Sequence, residues 1–208
     1  MTREVDYFSI EGAYGGSQEW FTNVVMNIGG CAAATACDSS IYFAKEFGLT
    51  HLYPYDINNL NKEDYKKFSQ IMKPYISPRV MGVKKAKWYI DGFKKYIDDV
   101  DKREGTNTDI SMRELPGSES YDSAKTAVIN QIDDGYPIPY LMLKHRQGKF
   151  ADFAWHWFLI TGYDILDNKM YIKVATYAHE HKLPFEELWN TGYSEKGGIV
   201  LYKSSHTF

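Results

Sequence analysis

The apolar positions of this chain change their period near residue 135. Before that point they recur at intervals of three and four, which predicts helices. Ile41, Ala44 and Phe47 continue an alanine-rich run that opens at Cys31, and Gly48 supplies a stop, so a central helix is expected from Cys31 to about Gly48. Asn61 is placed to cap a helix from Lys62 to about Lys73, which Pro74 ends. Trp88, Phe93, Tyr96 and Ile97 predict a helix over Lys84 to Asp99, and Ala124, Val128 and Ile132 another over Ser120 to Asp134. Before Cys31, the Gly-rich stretch from Tyr7 to Gln18 is expected to be irregular, and Gln18 to Met26 a short helix or turn. Thr106 to Leu115 is expected to be extended or loop.

Beyond Gly135 the apolar residues come in runs or alternate, as strands require. Strands are expected over Tyr136–His145, Phe153–Tyr163, Lys169–Tyr177 and Gly198–Lys203, with Asp167-Asn168 as a turn and a short helix over Pro184 to Trp189. Helices followed by an antiparallel sheet define the α+β class. One domain over residues 1–208 is expected, with a helical lobe over about 1–135 and a sheet lobe over about 136–208.

Composition adds exclusions. The 208 residues carry 44% hydrophobic and 25% charged side chains, which speaks against disorder. A net charge of -3 gives no basic excess for a phosphate backbone, so nucleic acid is not expected as a partner. Lys84 to Lys87 and Lys94-Lys95, close to Asp91, Asp98 and Asp99, are expected to form a solvated helix face. No stretch approaches the ~20 apolar residues of a membrane span, so no membrane partner is expected. MTREVDYFSIEG has no apolar leader core, and Cys31 and Cys37 would face different sides of one helix. A reducing, cytoplasmic setting without a disulfide is the expectation.

Cys31 is the candidate nucleophile. Gly29-Gly30 place it at a helix start, where unpaired N–H groups favour a thiolate, and the alanines after it leave the sulfur accessible. Cys37 lies deeper in the same helix and is expected to be an inert core thiol. A thiolate needs a base from elsewhere in the fold. His156 is that candidate, because it sits in an apolar strand between Trp155 and Trp157. His51, His145 and His206 have no such setting. His179 and His181 lack the further ligands of a metal site, so neither metal nor cofactor is expected.

Gln18, the Gly29-Gly30-Cys31-Ala32-Ala33 segment, and His156 followed after five residues by Gly162-Tyr163 and Asp164 together resemble the papain-like cysteine peptidase superfamily. The small size and the Cys context are similar to its bacterial branch of bacteriocin-processing peptidases. The resemblance implies a Cys-bearing central helix packed on a C-terminal antiparallel sheet. It implies Cys31 as nucleophile, His156 as general base, and Gln18 as an oxyanion-holding amide that pairs with the Cys31 N–H. Thirteen positions separate Gln18 from Cys31, more than the family pattern, so an extra turn or short helix is expected between them. Where the family places an Asn or Asp to orient the imidazole, the count falls on Thr176; Asp152 and Asp164 are alternative orienters. Trp20, Gly30, Trp155 and Trp157 are the candidate substrate-contacting residues. The expected activity is hydrolysis of a peptide or amide, in a peptide or protein substrate. A peptide-binding module without turnover, and an acyltransferase or deamidase on the same scaffold, are the alternatives.

Overall fold

A computed structural model describes residues 1–79 and 82–204. His206 lies outside the described residues. The N-terminal segment contributes three short strands, β1 (Thr2–Glu4), β2 (Ser9–Ile10) and β3 (Ala13–Tyr14). Four helices follow: α1 (Val24–Gly29), α2 (Cys31–Glu46), α3 (Lys62–Met72) and α4 (Ala86–Glu104). Then come β4 (Ser111–Pro116), α5 (Tyr121–Asp133), β5 (Ile138–Met142), β6 (His156–Leu166), β7 (Lys169–Thr176), β8 (His179–Pro184), α6 (Phe185–Trp189) and β9 (Gly197–Lys203). The protein is therefore α+β.

One antiparallel sheet runs β4-β9-β5-β6-β7-β8, and β1 adds to β6 beyond the end of β5. The sheet thus draws β1 and β4 from the first 135 residues, so the helices and the sheet share one core. Thr106 to Leu115 was open between strand and loop; its second half is the edge strand β4.

The helices form where the apolar period placed them, and their caps explain their limits. Asn61 Oδ1 accepts from the Asp64 N–H at 2.8 Å and starts α3. Gly105, at φ 71°, ends α4 five residues later than the apolar pattern suggested. On the outer face of α4, Lys87, Lys94 and Lys95 pair with Asp91, Asp98 and Asp99 one turn on. These pairs are solvated and place the cation first, so each adds no more than a few tenths of a kcal/mol.

α2 is different, because it is buried on nearly every side from Cys31 to Ala44. Small side chains let sheet and helices close on it. Two of its hydroxyls bond within the helix: Thr35 Oγ1 donates to Cys31 O at 2.9 Å and Ser39 Oγ to Thr35 O at 2.9 Å. Among the described residues, no helix is long and apolar enough to cross a membrane.

Candidate functional site

Three elements meet at the start of α2. The first is α2 itself, and Gly30 makes the junction. A Cβ on Gly30 would stand 2.3 Å from Met26 O, so only glycine lets α1 end and α2 begin in one residue. The second is β6, whose first residue is His156. Trp155, at φ 53°, turns the chain sharply into the strand. The third is the β7–β8 hairpin. Its two-residue loop, Tyr177-Ala178, has φ 52° and 64°, the left-handed values that a tight hairpin requires.

Cys31, Gln18, Asp38, His156, Thr176 and Tyr177 line one cleft between α2 and the sheet. Its cavity volume is about 20 Å³, room for about one water. Cys31 is 8% exposed and His156 5%. The His156 Nε2 and the Thr176 Oγ1 lie 2.6 Å apart. The Tyr177 ring lies flat on the imidazole, 4.5 Å away with planes 1° apart, and its hydroxyl is a long 3.4 Å from Nδ1.

The electrostatics differ from the expected thiolate. Burial pushes the Cys31 thiol up, although the N–H groups of Trp157, Ala32 and Cys31 face the sulfur and pull the other way. Burial, helped by His181, lowers His156 to about 4. At neutral pH the cleft therefore holds a neutral thiol and a neutral imidazole. A helix start favours an anion, but here desolvation of the sulfur outweighs it.

The other candidates separate. Gln18 lines the cleft, but its amide nitrogen donates to Asn27 O at 3.0 Å and Ile28 O at 3.2 Å rather than standing free beside the Cys31 N–H. Its Oε1 is buried without a hydrogen-bond partner among the described residues. The extra turn between Gln18 and Cys31 is α1, and the end of that helix holds the amide. Trp157 is a core residue: its ring stacks on Tyr89 at 4.8 Å and its Nε1 donates to Val83 O at 2.6 Å. Trp157 also lines the cleft, and its main-chain N–H faces the sulfur. Trp20, Gly30 and Trp155 are not walls of the cleft. Trp20 packs edge-on against Tyr65, Gly30 is consumed by the helix junction, and Trp155 is 44% exposed beside Lys144.

Of the alternative orienters, Asp164 is engaged with Thr2 and Lys182 at the far end of β6. Asp152 acts on His181 rather than His156. Cys37 is fully buried, and both cysteines are free thiols. Among the described residues, no group of three His, Cys, Asp or Glu is placed to hold a metal ion.

Two residues of the cleft escaped the sequence reading. Tyr177 carries no sequence signal beyond its place at the end of the Lys169–Tyr177 segment. Asp38 sits two turns below Cys31 on the same face of α2, and an acidic residue in a run of Ala, Cys and Ser was the available signal. The Gly16 N–H donates to both its oxygens at 3.2 Å. Gly16 also has no room for a side chain, since a Cβ there would fall 2.0 Å from the Tyr65 ring. Gly16→Ala is expected to cost about 1–3 kcal/mol through overpacking, read as a lower urea midpoint with unchanged m.

Comparison of the chain with models of known protein families and with curated proteins gives no match.

Proposed function

We propose that this chain is a cysteine hydrolase with a papain-like arrangement, cleaving a peptide or amide through a thioester on Cys31. One observation carries the reading: a cysteine opening the buried central helix and a histidine opening a sheet strand line the same cleft, with the Thr176 hydroxyl 2.6 Å from the His156 Nε2. If His156 Nε2–H donates to Thr176, Nδ1 is left as the acceptor, the form a general base needs. Because the resting pair is neutral, proton transfer accompanies attack. Nδ1 takes the thiol proton as sulfur bonds to the carbonyl carbon. The imidazolium then gives that proton to the departing amine, and water releases the acid by the reverse route. A cavity with room for one water admits the reacting carbonyl while the rest of the substrate stays outside. The Gln18 amide has to leave Asn27 and Ile28 before its nitrogen can hold the oxyanion.

A binding module without turnover is the second reading, favoured by the raised thiol and by Thr176 in place of a carboxylate or carboxamide. Alkylation at pH 7.5, mapped by peptide mass, separates the two. The hydrolase reading expects Cys31 to react at least ~100-fold faster than the buried Cys37, and to lose that advantage in His156→Ala. Slow, equal labelling of both thiols, indifferent to His156, would overturn it. Product analysis with an added amine then distinguishes hydrolysis from acyl transfer.

A further inference from the structure

Asp38 is a buried carboxylate that the proposed chemistry does not use. Tyr7 Oη donates to its Oδ2 at 2.8 Å and Tyr65 Oη to its Oδ1 at 2.8 Å, while Gly16 N–H reaches both oxygens. These donors come from three separate places: the segment between β1 and β2, the helix α3, and the turn after β3. Among the described residues, no lysine or arginine contributes to its environment. Its titratable neighbours are Tyr7, Tyr65 and, on its own helix, Cys37, with the Tyr14 ring tilted against Tyr7 at 4.9 Å.

The turn that Asp38 holds also grips the hairpin. Ala178 N–H donates to Gly16 O at 3.1 Å, and Tyr14 N–H to Ala178 O at 3.0 Å. Ala178 follows Tyr177, which covers the imidazole, and Thr176, which bonds it. Gln18 stands two residues after Gly16 on the other side. One short segment, residues 14–18, therefore joins the nucleophile helix to the loop that holds the imidazole.

We propose that Asp38 is a positioning residue whose carboxylate ties the Gly15-Gly16 turn, and through it the Thr176–Ala178 hairpin, to the helix that begins at Cys31. A carboxylate suits this task because it is all acceptor and meets four donated contacts at once. Protonation replaces an acceptor site by a donor and loosens the tie. Burial raises this carboxyl to about 6, while the tyrosine and glycine donors lower it. The kinetic part of the proposal rests on the reading of Cys31 and His156 as a reacting pair; the structural part does not.

The test pairs two readouts on the full chain. In Asp38→Asn, the amides of Gly16 and Ala178 are expected to exchange hydrogen at least ~10-fold faster at pH 7.5, with β5 and β6 amides unchanged. In the wild type, Cys31 alkylation is expected to fall on acidification with a limb near pH 6, and Asp38→Asn is expected to lack that limb. Tyr7→Phe and Tyr65→Phe each remove a donor that lowers the carboxyl, so each is expected to move the limb to higher pH. These two variants carry the test where Asp38→Asn fails to fold. Unchanged exchange at Gly16 and Ala178, or a limb that ignores all three substitutions, would overturn the proposal. Alkylation that ignores His156→Ala would instead strike at the hydrolase reading, while the exchange result still judges Asp38.

Discussion

His156→Ala is expected to lower kcat/KM for an amide substrate by roughly 10²–10⁴-fold, the usual contribution of a positioned general base. On the proposed mechanism the effect falls on kcat rather than KM, because a general base acts on the moving proton and not on the resting substrate. The neutral ground state makes the dependence steep. A thiol pushed up by burial carries little thiolate at pH 7, so without the base almost nothing remains to attack. Thr176→Val is expected to do less, about 10-fold. It leaves a buried ring nitrogen without its partner and the imidazole free to turn. Thr176→Asn, which restores an acceptor at that place, should recover part of the loss. A His156→Ala protein within threefold of wild-type activity would remove the imidazole from the chemistry.

How far the sequence carried this picture can be seen element by element. α2 and the apolar strands β5 and β6 were legible because burial leaves a strong periodic mark. β8 was invisible. HEHKLP is a polar edge strand in which only Leu183 is buried, and its turn, Tyr177-Ala178, carries no turn residues. Tertiary bonds to Tyr14 and Gly16 hold that turn, and no local pattern encodes them. β1, three exposed residues, left no mark either.

The site divides the same way. Cys31 was singled out by its place at a helix start, His156 by its apolar strand and Thr176 by the family resemblance, and all three line one cleft. Trp20 and Trp155 fall outside the cleft, because adjacency in sequence says nothing about which side of the chain a ring occupies. His156 and Trp157 point to opposite faces of β6, so Trp157 faces α4 and stacks on Tyr89. Asp38 could not be ranked, since its meaning depends on Tyr7, Tyr65 and Gly16, which converge on it only in three dimensions.

The second large effect is on stability, and it is hidden in the wild type. His156 is lowered by burial to about 4 from 6.5. Between pH 6.5 and 4 the unfolded chain binds a proton there that the folded chain refuses, so acidification costs about 3 kcal/mol. Asp38 is raised to about 6 from 3.8. Its folded form takes up a proton first, so its contribution is complete below about 3.8 and is lost as pH rises through about 6, again by about 3 kcal/mol. The two slopes oppose each other over nearly the same window. Urea midpoints at pH 7, 5.5 and 4.5 are therefore expected to show little net change from this pair in the wild type. His156→Ala should gain stability on acidification relative to wild type, and Asp38→Asn should lose it. His181, lowered in the same sense as His156, adds a background that the wild type and Asp38→Asn share. Parallel pH profiles for wild type and both variants would mean that neither group is held as the cleft geometry implies. At neutral pH the ionised Asp38 is a net cost to the fold, with no cation among the described residues to offset it. A charge kept at such a cost beside a candidate reacting pair fits a group held for geometry rather than for stability.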